Sequence, residues 1–207
     1  KGSYDIEFVN ASARKAESIF SMLSRSGKRV GVIGIPFTFP PEKVNGFMLS
    51  GMDSPGEDAR AFYPGPLYSE IKKEFGHYHI HLASPVGRSI DQERFWKDIR
   101  TEDRNRTEIS SYLLKKYDCE FFMTVYNNTD RVAHQHLDWE TLERIQKGER
   151  LSDDLLVKTY ENNDAHLGTF LSNVDDDTSI IIMSDHGSGP IKRVFFLNRW
   201  LEANSFL

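Results

Sequence analysis

Short apolar, β-branched runs alternate along this chain with stretches of helical period, and that alternation restricts the fold more than any other feature. A strand covered by helices on both faces of a sheet must be apolar on both faces, so an unbroken apolar run marks a buried parallel strand. Residues 29–36, with Val30, Gly31, Val32, Ile33 and Ile35, form such a run; residues 120–126 are another and residues 178–183 the clearest, while residues 77–83 read as a strand of alternating character. Between them, Ala13, Ala16, Ile19, Phe20 and Leu23 recur at helical spacing ahead of Gly27, a stop signal. A helix is expected near residues 66–75. Residues 91–117 read as one helix or two, with Phe95, Trp96, Ile99, Ile109, Leu113 and Tyr117 on the buried side. Leu156, Tyr160, Leu167, Phe170, Leu171 and Val174 mark another amphipathic helix, and residues 197–207 a last one. The expected fold is α/β, a mostly parallel sheet sandwiched between helices, with residues 1–207 forming a single domain. Residues 36–65, broken by Pro36, Pro40, Pro41, Asn45-Gly46 and Pro55-Gly56, read as a long loop, either a cap or lid or a structural connection.

Two of these strands run out into similar polar punctuation. Residues 120–126 lead to Asn127, Asn128, Thr129, Asp130, Arg131 and His134; residues 178–183 lead to Ser184, Asp185, His186, Gly187, Ser188 and Gly189. Ligands of open α/β sheets bind beyond the carboxyl ends of the strands, which is where both clusters fall. Asp130 and His134 are four apart, so one helical turn puts carboxylate and imidazole on the same face. Asp185 and His186 are adjacent and need a turn, which Gly187 permits. Oxygen and nitrogen donors without thiolate suit zinc, manganese or iron, and two such ions ~4 Å apart can clamp an in-line displacement at phosphorus. An isolated Asp-His pair on a helix is more often a solvated surface pair. It is the recurrence at two strand ends that favours metal binding.

The remaining composition excludes more than it specifies. A net charge of -5 argues against binding to a nucleic-acid backbone. The single cysteine, Cys119, leaves no internal disulfide and fits a reducing compartment. No apolar run approaches the ~18 residues of a membrane span. His77, His79 and His81 alternate, so a strand would align them either as a zinc site or as a half-exposed face. His136 reads as a support for the site or a surface residue. Arg131, Lys192 and Arg193 read as solvated charge or phosphate contacts, and Asn128 as a turn residue or a donor to a substrate phosphoryl oxygen.

The sequence Ser184-Asp185-His186-Gly187-Ser188-Gly189-Pro190, followed by Phe196-Leu197-Asn198-Arg199-Trp200-Leu201, resembles the signature of the type I phosphodiesterase/nucleotide pyrophosphatase family, within the alkaline phosphatase superfamily. Residues 129–139, from Thr129-Asp130 through His134 to Asp138-Trp139, are similar to that family's second metal motif. Residues 31–36, with Pro40-Pro41, Asn45-Gly46 and Ser50-Gly51, match a third region. Order and spacing hold over nearly the whole chain, and the flavour is that of the microbial phosphohydrolase/phosphomutase branch.

The resemblance implies an alkaline-phosphatase-like fold and two-metal hydrolysis of a small phosphate ester or nucleotide, with zinc the expected metal and manganese or iron as substitutes. It implies that Asp130 and His134 hold one ion, completed by a later histidine. Asp185 and His186 would hold the other, together with an earlier aspartate and a threonine or serine nucleophile. This sequence departs from the pattern at both ends: the nucleophile and first aspartate are expected upstream of residue 1, and the last histidine after residue 207. Neither Ser188 nor Thr129 matches the nucleophile motif, so no catalytic nucleophile is assigned. The chain alone is therefore expected to bind metal weakly and turn over little. A phosphomutase or sulfatase would use the same metal frame, and a non-catalytic binding domain on this scaffold is the reading from a different class.

Overall fold

The computed structural model describes residues 9–80, 91–149, 151 and 153–207. Among them, four strands form one sheet in the order β3-β2-β1-β4. Strand β1 (Val30–Ile33) lies at the centre, parallel to β2 (Gly46–Leu49) on one side and to β4 (Phe121–Thr124) on the other. The two-residue β3 (Phe62–Tyr63) closes the β2 edge antiparallel. Period-two alternation sorts the side chains. Val30, Val32 and Met48 pack with Phe20 of helix α1 (Ile19–Arg25) on one face. Ile33, Phe47 and Leu49 pack on the other against Leu67 and Ile71 of α2 (Leu67–Phe75) and Ile109 and Leu113 of α3 (Gln92–Tyr117). Helices thus cover both faces, the α/β arrangement expected from the pattern of runs.

A further helical layer extends α3. Phe95 and Ile99 of α3 meet Val132 and Ala133 of α4 (Asn128–His136) and Leu156 of α6 (Leu155–Leu171). Helix α5 (Trp139–Gln146) follows α4 directly, and α7 (Leu197–Ala203) lies near the end of the chain. Residues 91–117 form a single helix, started by the Asp91 side chain accepting from the amides of Glu93 and Arg94 and stopped at Asp118 in a left-handed conformation. Among the described residues no helix is long and apolar enough to cross a membrane.

Some expectations differ from the structure: the helix expected from Ala13 starts only at Ile19, and the last helix ends at Ala203. Residues 36–65 contribute β2 and β3 to the sheet; their runs are too short to register as strands between so many turn residues. Residues 77–80 form no strand, because their backbone bonds go to side chains: Glu57 accepts from the Tyr78 amide and Asn105 from that of His79, while Asn105 and Arg106 donate to the carbonyls of His77, His79 and Ile80. The rest of that expected strand, with His81, lies outside the described residues. Residues 178–183, the clearest expected strand, pair with nothing in the sheet; Ile180, Ile181, Ile182 and Met183 are 44–80% exposed. An apolar β-branched run becomes a strand only where an edge receives it, and here β4 ends the sheet without it.

Candidate metal and phosphoester site

Strand β4 ends at Thr124 and α4 begins four residues later, which lifts Asp130 and His134 onto the carboxyl rim shared by the parallel strands β1 and β4. On α4 the spacing of four brings His134 Nε2 to 3.5 Å from Asp130 Oδ1. The turn after residue 183 reaches the same place. His186 Nε2 is 4.0 Å from that Asp130 oxygen and 3.6 Å from Asp185 Oδ2. Ser184 Oγ donates to the His186 carbonyl at 2.6 Å, tightening the turn. The ammonium of Lys192 lies 4.8 Å over the Trp139 ring, an attraction that holds the following residues against α5. Two acid–imidazole couples, 51 or more residues apart in sequence, therefore meet through Asp130.

Between them opens a cavity of about 390 Å³, lined by Asp130, His134, Trp139, His186, Ser188 and Ile191. Asp130, His134 and His186 face it, and all four acid and imidazole side chains are well exposed. They make an open chain of contacts; among the described residues no three His, Cys, Asp or Glu groups close on one point as a metal cage. The donors nonetheless suit a divalent cation in kind. Their 3.5–4.0 Å separations are slightly longer than the edge of about 3.4 Å that a tetrahedron with ~2.1 Å metal–ligand bonds requires. The Gly187 carbonyl 3.0 Å from Nδ1, helped by the carboxylates of Asp185 and Asp130, holds His186 above the ordinary imidazole range. A cation arriving there competes with that proton.

The flanking residues fall into place differently. Asn128 has no exposed surface: its amide nitrogen donates to Asp103 Oδ1 at 2.7 Å, and its oxygen accepts from Arg131 at 2.8 Å. Both ends of the amide face the α3–α4 interface and are taken by protein partners. Arg131 also donates to Glu102 at 2.7 Å, an ion pair within the protein where a free surface charge or phosphate contact was expected. His136 stacks on Phe95 with ring centres 5.9 Å apart, and burial lowers its pKa. His77 and His79 stack on each other at 5.5 Å, with His77 beside Glu57, and no metal cage forms there among the described residues.

The sequence reading passed over a buried polar cluster on α3. Glu102, Asp103 and Arg106 are each only 1% exposed. Positions 95, 99, 102, 106, 109 and 113 follow the three-four spacing of a single helix face, so two charges stand inside the apolar stripe. That interruption was the available signal. Burial pushes the Asp103 carboxyl up to about 6, opposed by the hydrogen bond from Asn128 and reinforced by the neighbouring Glu102. Its unfolded value is near 3.9, so the folded protein holds this proton more tightly. Asp103 thus favours folding at low pH. That advantage is lost as pH rises from about 4 to about 6, and above both values its burial is a constant cost. The difference amounts to about 3 kcal/mol. Urea titrations of the wild type and Asp103→Asn across this range are expected to diverge, the wild type losing stability relative to the variant as pH rises and the gap levelling off above about pH 6–7.

A mostly parallel sheet with acid–imidazole couples on its carboxyl rim is an arrangement suited to hydrolytic chemistry on an anionic ester. The chain belongs to the type I phosphodiesterase / nucleotide pyrophosphatase family, whose pattern matches residues 3–206. That family comprises phosphodiesterase- and pyrophosphatase-type hydrolases acting on phosphate esters. Neither the curated proteins nor the solved structures give a match.

Proposed function

We propose that this protein hydrolyses a small phosphate diester or nucleotide at the cavity between α4 and residues 184–191, with two divalent cations, zinc in the first instance. The observation that carries this reading is the approach of His186 to Asp130, which joins two motifs distant in sequence into one donor group. Asp130 and His134 would hold one cation; Asp185 and His186 would hold the other. Bound there, such ions supply Lewis acidity to the phosphoryl group and to the attacking and leaving oxygens. The chain's own side chains do the rest. The i,i+4 geometry of α4 keeps Asp130 and His134 together, and the Gly187 turn directs His186 toward them. The Trp139 ring and Ile191 line a wall on which an apolar or aromatic leaving group can rest.

The test is hydrolysis of a chromogenic phosphodiester by the full-length protein, stripped with a chelator and then titrated with zinc or manganese. Turnover is expected to vanish on stripping and return with the metal. Turnover indifferent to the chelator would refute the metal assignment, and metal binding without turnover of any phosphate ester would point to a non-catalytic binding domain.

A further inference from the structure

We propose that Glu102 and Asp103 of α3 are positioning residues for the cation site: together they grip the first turn of α4 through Arg131 and Asn128 and so fix where Asp130 points. The inference rests on the reading of Asp130 as a cation ligand, and it names what holds that ligand in place.

The contacts form a closed ring. Arg131 Nη1 donates to Glu102 Oε2 at 2.7 Å and to Asn128 Oδ1 at 2.8 Å, and Asn128 Nδ2 donates to Asp103 Oδ1 at 2.7 Å. The second Asp103 oxygen accepts from Asn162 of α6 at 3.0 Å, tying the ring to a third helix. Arg106 lies 3.7 Å from Glu102, so this one buried carboxylate faces two guanidinium groups, while the Asp103 carboxylate accepts from the amides of Asn128 and Asn162. The residues gripped are numbers 128 and 131, on either side of Asp130.

Stability alone gives little reason for such a ring. Buried ion pairs return little net stability, and apolar residues of similar volume often serve as well or better. The packing of Val132 and Ala133 on Phe95 and Ile99 already holds α4 against α3. Apolar packing has no direction, however, and resists sliding and rotation poorly; hydrogen bonds from both ends of an amide and from a guanidinium are directional. A roughly 20° roll of α4 would carry a side-chain head near the helix surface by about 2 Å. Site geometry tolerates only about 0.5 Å, so the direction of α4's first turn has to be set by something other than its apolar face.

The experiment titrates Mn²⁺ into the full-length protein and into five variants, with the metal-free melting temperature recorded for each. Asp130→Ala reports on the ligand itself. Arg131→Met and Glu102→Gln are expected to weaken Mn²⁺ binding about 10–100-fold, the usual cost of losing a group that orients a ligand. Arg131→Lys keeps the charge but not the fork and is expected to recover part of the loss. Asp103→Asn separates positioning from stability: it keeps one of the two acceptors used by Asn128 and Asn162 and removes an unfavourably buried charge. At pH 7 the melting temperature should therefore stay near that of the wild type while Mn²⁺ affinity falls about tenfold. If Asp130→Ala loses Mn²⁺ but the α3 and Arg131 variants bind as the wild type does, the positioning role is wrong and the cation site stands. If Asp130→Ala itself binds as tightly as the wild type, the cation site and the positioning role fall together.

Discussion

Replacing Gly34 with alanine is expected to destabilise the fold by about 4 kcal/mol or more, the largest single effect on stability that the structure implies. Gly34 follows β1 directly with φ +73°, and its amide donates to the Leu49 carbonyl at 2.9 Å. A Cβ there would sit 1.5 Å from Arg106 Nη1. An exposed guanidinium could swing away at little cost, but this one is 1% exposed and anchored by its bonds to the carbonyls of His79 and Ile80. Displacing it would take one of two counter-charges from Glu102 inside the protein and strip the His79 and Ile80 carbonyls of their donor. Gly27→Ala supplies the control, since Gly27 has φ +82° and nothing within 4 Å of the added carbon. It bears only the left-handed backbone penalty of about 1–2 kcal/mol. Urea denaturation of the two variants side by side isolates the guanidinium's share. Equal losses would show that Arg106 yields freely.

The largest effect on catalysis is expected from Asp130→Ala, which should lower the phosphodiesterase turnover of the full-length protein by about 10³-fold or more. Asp130 is where the two couples touch: its Oδ1 lies near both His134 and His186. On the proposed reading, removing it would take one donor from a cation and break the contact between the two motifs. Asp185→Ala, at the far end of the chain of contacts, should fall similarly while melting like the wild type, because the Asp185 side chain is almost fully exposed and supports no packing. A variant that loses both activity and melting temperature would instead place the residue in the scaffold. Undiminished turnover in either variant would remove it from the site.

The longer helices were readable from sequence because their apolar stripes are long, whereas α5 was not foreseen and α4 only as one turn from Asp130 to His134. Apolar residues at three-four spacing announced α3 and α6, although Tyr160 and Leu171 of the α6 stripe are exposed and Val174 lies beyond that helix. The central strand β1 and its neighbour β4 were readable for a related reason, as apolar runs closed by turn residues. Strands β2 and β3, of four and two residues, exist because β1 offers an edge, which no local pattern records. The same dependence works in reverse at residues 178–183, where a strong strand pattern meets no partner edge.

The pairing of Asp130 with His134 was legible in helical spacing, and the placement of each couple in its position after an apolar run. Their approach to one another is a tertiary fact, expected from the strand-end rule and from the family resemblance, although residues 178–183 form no strand of the sheet. The two readings of Asn128 could not be separated from sequence for a physical reason: an amide at this position reads alike whether it faces substrate or, as here, a carboxylate on the helix behind. Glu102 and Arg106 were overlooked because charged residues on a helix are normally solvated, although both stand in the stripe that buries Ile99 and Ile109.

Anomalous X-ray scattering from crystals of the full-length protein grown with zinc or manganese tests the central claim most directly. One peak should lie within bonding distance of Asp130 and His134, and a second, ~4 Å away, within reach of Asp185 and His186. Metal bound only at other residues, or peaks that engage one couple while the other points elsewhere, would contradict the account.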